Sequence, residues 1–467
     1  MKLKYIASAL SLIIITGSAC RKEDQAVSPL RAVKAGVVIA AIPTDTLRGV
    51  ITADRTLESD REWILDGLVY VKSGVTLTIR PGTLIKGLAK PQCSLNNPGG
   101  GLIVTPGAKL IANGTPFAPI VFTSTNVSAS RQPGDWAGVM ILGKAGSSLT
   151  GVTSSYKLNT AYVPQQNAKS NATDTSGELS YIRMEFAGYN FAQNVSFNGL
   201  SLIGVGSGTS VHHIQVSYAN GDAFLLAGGS VNAANLVALA PKENGLSFSL
   251  GYHGKIQYAL TVADPSFTRS SGNGIESSSS VLGIPLQPVT RPVISNATLI
   301  GTATAASSTA IGSLWKANTS FVFSNSVVMG YSKGVVLDNQ QGKTQEKFQN
   351  GNAVLKHNLV EAYTTPFATV AGSLSTGAFT TLATNAANKN TGYTIVNGND
   401  SLRLFLPFEL LFPFPLPDVT SPAIEGAVFD GDLADAFFEK TATFRGAFGA
   451  ENWLEGWTYF DPKNVDY

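Results

Sequence analysis

Gly74-Val75-Thr76-Leu77-Thr78-Ile79-Arg80-Pro81-Gly82-Thr83-Leu84-Ile85 and its echo Gly101-Leu102-Ile103-Val104-Thr105-Pro106-Gly107-Ala108-Lys109-Leu110-Ile111 decide how this chain folds. Each stretch is a short alternating strand, a Pro-Gly turn and a second short apolar strand. Pro81 and Pro106 stand 25 residues apart, the size of one coil of a solenoid. Further along, Gly199-Leu200, Ala223-Phe224, Gly245-Leu246 and Gly274-Ile275 bring Leu200, Phe224, Leu246 and Ile275 into register at intervals of 24, 22 and 29. Between them lie second strands, 214–218, 235–239 and 256–260, continued by 294–299 and 323–328. All are too short for helices, and their connections are too short for helical crossovers, so they are expected to stack in parallel on successive coils. Gln215, Asn235, Gln257, Asn296, Asn325 and Asn358 fall at similar points of these coils, where stacked amides satisfy one another.

Composition agrees with a β-solenoid. Of 467 residues, 47 are Gly and 22 Pro, and only 14% are charged, against ~25% in ordinary soluble domains. With 44% hydrophobic residues the chain can bury a large core, and a net charge of +2 from 33 basic and 31 acidic residues offers no basic excess for nucleic acid. A nucleic-acid partner is therefore not expected.

At the N-terminus, Lys2 and Lys4 precede an apolar stretch from Ile6 to Ile15 and the small residues Gly17, Ser18 and Ala19, directly before Cys20. This pattern is that of an export signal. Small residues ahead of a Cys, with Arg21-Lys22-Glu23-Asp24 after it, resemble a bacterial lipoprotein signal. That resemblance implies that 1–19 are removed, that Cys20 is acylated, and that 20–45 form a lipidated tether holding the protein to a membrane. Glu23-Asp24 is also similar to the acidic export signal of Bacteroidetes surface lipoproteins, a resemblance that implies an outer-membrane or cell-surface location. With Cys20 committed to lipid, Cys93 is left without a disulfide partner.

The solenoid is expected over 46–395, and 396–467 as a C-terminal cap packed on it. The Pro- and Phe-rich run from Leu402 to Leu416 is too broken by Pro to cross a membrane as a helix. It reads as lying along the solenoid side or over its last coil. Trp453 and Trp457 are a candidate aromatic platform for a sugar, but packing of the cap is the favoured use of the same rings, since Asp461-Pro462 and Gly456 read as tight turns holding them against the body.

Taken together, the lipoprotein-like start, the 74–87 coil, Gly134-Asp135-Trp136-Ala137-Gly138, Gly204-Val205-Gly206-Ser207-Gly208-Thr209, Gly254-Lys255-Ile256-Gln257, 294–301 and the ending Gly446-Ala447-Phe448…Trp453…Gly456-Trp457-Thr458 resemble one group. They are similar to Bacteroidetes envelope lipoproteins with a pectate-lyase-like fold, a group of unestablished function. The resemblance implies an all-β chain, a single-stranded right-handed parallel β-helix with a C-terminal cap. It carries over no catalytic residues. Where relatives bear acids, this chain has Leu225, Ser247 and Ser249 and keeps Glu276.

β-Helices host lyases and hydrolases, but fold does not fix function. Hydrolysis needs two carboxyl groups at a set separation, and a lyase needs a base beside a cation or an Arg/Lys that neutralises the substrate acid. Asp222, Glu243, His253, Lys255, Asp264 and Glu276 are the residues that successive coils can bring to one face, with Arg183 or Arg291 as further cations. Among them Asp222, His253, Lys255 and Glu276 form the candidate ligand face. No acidic loop suited to Ca²⁺ is visible and no cofactor motif occurs. His212-His213 precede the strand Ile214-Gln215-Val216, and because neighbouring strand residues point to opposite faces, no shared metal is expected. The leading expectation is a binding or display module for a glycan or an envelope protein. A polysaccharide lyase or glycoside hydrolase and a purely structural envelope protein are the alternatives.

Overall fold

The computed structural model describes residues 42–90, 99–147, 158–163, 171–192, 195–267, 272–281, 284–285, 287–304, 310–395 and 399–467. Cys20 and Cys93 lie outside them, and 42–467 form one compact unit. This body is a right-handed parallel β-helix with three faces. Thr44–Leu47, Val50–Ile51 and Arg55–Leu57 lay down the three faces of the first coil. Glu62–Leu65, Leu68–Val71 and Thr76–Ile79 pair on them in parallel, and the pattern repeats to Leu359–Val370 and Thr391–Thr394.

Strand alternation sends apolar residues inward on every face of every coil, and those residues form continuous rows. On the second face Leu102, Val139, Leu200, Phe224, Leu246 and Ile275 are register partners in sequence, all buried. On the third face Leu179, Val211, Ala233, Ile256, Ile294, Phe323 and Leu355 do the same. Burial of such rows between coils is the main stabilising term.

The two Pro-Gly motifs occupy different corners. Thr76–Ile79 is on the third face and Leu84–Gly87 on the first, whereas Gly101–Val104 is on the second and Lys109–Asn113 on the third. Every corner of a three-sided coil needs a tight turn, so one motif serves two corners.

From Gly177 onward the third-face strand runs into the next first-face strand without a break, as in Gly177–Glu185, Ser210–Ser217, Asn232–Leu239, Lys255–Val262 and Val293–Ile300. The bend is a single left-handed residue. Tyr181, His213, Asn235, Tyr258, Asn296, Asn325 and His357 stack at this corner with φ between 51° and 59°. Asn tolerates that conformation best among non-glycine residues. The expected amide ladder is therefore divided: Asn235, Asn296 and Asn325 are at the corner, Gln257 precedes it, and Gln215 and Asn358 follow it.

Helix α1 (Thr344–Gln349) and helix α2 (Thr376–Thr384) lie at the late end. The Ser375 hydroxyl caps α2 by accepting from the Ala378 N–H, and Phe379 of α2 meets Phe348 and Phe367 edge-on. Residues 399–467, with no strand of their own, run along the outside of the solenoid as a strap.

Candidate functional site

The four residues expected to share a ligand face are distributed over two corners and two faces. Asp222 is buried at the corner between the first and second faces, in a ladder with Asn198, Asn244 and Asn273. Its Oδ1 accepts from both the N–H (3.0 Å) and the side-chain amide (2.9 Å) of Asn244. Burial, reinforced by the nearby Glu243 carboxylate, pushes its pKa up to about 7. Glu276 lies on the second face, in register with Ser247, held by Lys316 at 2.7 Å and by the Asn273 amide. His253 is exposed at the corner between the second and third faces, and Lys255 begins a third-face strand and pairs with Asp435 of the strap at 3.1 Å. The outward position assigned to Asp222 is thus corrected: its backbone belongs to a corner, where a side chain bonds the next coil instead of facing solvent.

Other candidates are likewise engaged. Arg291 forms a two-pronged ion pair with Asp432, and Asp264 accepts from the Ser266 N–H. His212 and His213 do meet, with their Nδ1 atoms 2.9 Å apart. The left-handed φ of His213 breaks the alternation that should have separated them. Burial, with His212 beside it, lowers the His213 pKa to about 4, and burial lowers that of His212 as well.

Trp453 and Trp457 do not form an open platform. Trp457 is 1% exposed and stacks with Trp453, which in turn stacks on Phe448. Both indoles meet His213 edge-on, and their N–H groups donate to the Ala447 and Trp453 carbonyls. These rings fasten the strap to the solenoid.

The strap's route explains where the amides of the corner go. Gln215, Gln257 and Asn325 each donate to a strap carbonyl and accept from an N–H of the same residue, Tyr459, Glu439 and Val428 respectively. A carboxamide carries both a donor and an acceptor and so mimics a peptide group of a neighbouring strand. Asn296 adds a bond to the Phe444 carbonyl. Around these clasps, Leu402, Leu416, Ala447, Phe448 and Leu454 cover the outward Val237, Leu260, Ile300 and Met329 of the first face. Leu433 and Phe438 cover Val293 and Val322 on the third.

At the strap's far end Tyr467 donates its hydroxyl to the buried Glu185 at 2.6 Å, with Arg183 and Arg131 over its ring. Burial raises the Glu185 pKa, and Arg183 opposes that rise. Burial and the Asp400 carboxylate likewise push Glu361 up to about 7. The sequence shows neither group as special, since each is simply an acid within a strand.

The third face of the earlier coils stays accessible. One outward row runs through Thr78, Ile111, Glu178, Ser210 and Asn232 toward Lys255, and a second through Asn113, Ser180, His212 and Ala234. Glu178 and Ser210 are exposed and Asn113, His212 and Asn232 half-buried. Asn113 donates to Glu178 at 2.8 Å, and Asn232 accepts from the Lys255 N–H at 2.9 Å. The result is a strip of hydroxyl, amide, carboxylate and imidazole groups at the ~4.8 Å strand spacing, interrupted by Ile111 and Ala234 and with Ser180 buried. Its signal in the sequence is Glu178, Ser180, Ser210, His212 and Asn232, polar residues beside the inward Leu179, Val211 and Ala233.

A family model described as a pectate-lyase like beta helix domain matches residues 49–401. No curated protein and no solved structure matches the chain.

Proposed function

Because the chain belongs to the family of pectate-lyase-like β-helix domains, whose fold alone assigns no activity, we propose that it works as a lipid-anchored envelope protein that binds a glycan along its third face. The polar strip from Thr78 to Lys255 carries this reading. Hydrogen-bonding groups at the strand spacing suit a hydroxyl-rich chain lying along the solenoid axis. The carboxylates that catalysis would need are otherwise used: Asp222 in a ladder, Glu276 on Lys316, and Glu185 under Tyr467. The export signal, acylation at Cys20 and an outer-membrane or surface location enter on the strength of the N-terminal pattern, Bacteroidetes-like in its acidic pair.

The test is a glycan array and a turnover screen on the Cys20→Ala chain, which cannot be acylated. Binding without product is expected, weakened at least about tenfold by Glu178→Ala with Asn232→Ala, since two charge-assisted or amide bonds are lost. Product formation would select the enzyme instead, and binding indifferent to both substitutions would remove this face from consideration.

A further inference from the structure

One loop of the strap turns a cluster of large apolar side chains outward. Between Leu404 and Pro417, which form a bridge that closes a loop, the sequence is Leu-Phe-Leu-Pro-Phe-Glu-Leu-Leu-Phe-Pro-Phe-Pro-Leu-Pro, with Glu409 its only charge. The neck is fixed: the Phe405 N–H bonds the Leu416 carbonyl at 2.8 Å, and the Leu404 N–H bonds Asn399 Oδ1 at 3.0 Å. One side of the loop is seated. Leu404 and Leu416 are buried against the first face, and Phe408, Leu410 and Phe414 pack on the same cluster. Phe408 lies so close to Gly330 that a Cβ there would be 2.7 Å from its ring.

The other side is bare. Phe405 is 47% exposed, Leu406 57%, Leu411 47% and Phe412 76%. Four large apolar side chains held within eight residues differ from the scattered apolar exposure normal on a protein surface. We propose that the loop 404–417 inserts its Phe405, Leu406, Leu411 and Phe412 side chains into the interfacial layer of a lipid bilayer, as a membrane contact separate from acylation.

Three features favour lipid over a protein partner. Side chains exposed by about half or more stand out from the surface instead of lining a groove, and a fluid phase needs no complementary cavity. A protein interface also uses polar groups to fix register, and this tip offers only Glu409. Entering an apolar medium is costly for unpaired backbone N–H groups; Pro407, Pro413, Pro415 and Pro417 carry none, and Phe405, Glu409 and Phe414 donate theirs within the loop. Arg403 and Asp418 at the neck have opposite charge, so attraction to anionic lipid is not the driving force.

The experiment is flotation of the Cys20→Ala chain with phosphatidylcholine vesicles, with and without phosphatidylglycerol, at low and high salt. The chain is expected to float with both vesicle types and in both salts. Phe405→Ser with Phe412→Ser should lower partitioning at least about tenfold with an unchanged thermal midpoint. A Phe412→Trp chain should be quenched by brominated acyl chains beyond the parent, a readout that needs no loss-of-function variant. Failure to float, flotation that survives the double substitution, or flotation confined to anionic vesicles at low salt would each overturn the proposal. A parent that self-associates in light scattering without floating would assign the loop to a protein contact. Glycan binding by the third face should be the same in the double variant, so the two proposals fail separately.

Discussion

Asp222 shows how one residue's role follows from its place on a corner. Its neighbours one coil away on either side are Asn198 and Asn244, and the same ladder is carried on by Asn273. These residues stand directly before Gly199, Ala223, Gly245 and Gly274, so the ladder was readable two positions upstream of the apolar row that the sequence displays. A carboxylate in this amide series carries an electrostatic cost. Folded Asp222 keeps its proton up to about pH 7, whereas an unfolded Asp loses it near pH ~3.9. Between those values the folded state binds more protons than the unfolded one, so this group's contribution to stability falls as pH rises from ~4 to ~7 and then levels. Asp222→Asn retains the Oδ1 acceptor without the charge. It is expected to match the parent at pH 4 and to exceed it at pH 8 by on the order of 2–4 kcal/mol. Urea unfolding at the two pH values checks this, and an equal difference at both would show that charge is not the cause.

At the scale of the element, the rows and the strap were unequally legible. Leu200, Phe224, Leu246 and Ile275 announce themselves because each inward residue follows a small one at a coil's spacing. The left-handed corner was legible only where it is Asn; Tyr181, His213, Tyr258 and His357 hold the same φ with no amide to mark it. Ring contacts accompany those costly conformations, Tyr181 stacking on His213 at 4.5 Å and Tyr258 on Phe444 at 6.2 Å. The clasps that hold the strap were not legible, because Gln215, Gln257 and Asn325 bond its backbone, and backbone bonding leaves no side-chain period. Gln257 is the sharpest probe of that holding. Gln257→Leu deletes both bonds to Glu439 and leaves a strap N–H and carbonyl without their partner. A loss of about 2 kcal/mol is expected in thermal or urea unfolding. The same substitution in a chain cut before the strap should cost far less, and an equal cost there would mean that Gln257 acts within its own coil.

For the molecule as a whole, the strap changes what kind of solenoid this is. In a plain solenoid each coil touches only its neighbours, and stability propagates as a sum of local terms. Here one segment bonds Asn325 through Val428, Gln257 through Glu439, Gln215 through Tyr459 and Glu185 through Tyr467, and so ties late coils to early ones. It also covers the outward Val237, Leu239, Leu260, Val262 and Ile300, apolar residues that a solvent-facing sheet side would not carry. Those outward residues are why the first face reads as apolar on both sides, and why alternation alone could not tell its inside from its outside. Removing 426–467 is therefore expected to do two things at once. Coils from Gly177 to Ile300 should lose amide-exchange protection although their own strands are intact, and the unfolding transition should broaden as distant coils uncouple. The early coils from Thr44 to Val71, which the strap's clasps do not touch, should keep their protection and serve as the internal control. A truncated chain that melts as sharply as the parent, with exchange unchanged over 177–300, would show that stacking alone carries the cooperativity and that the strap merely covers it.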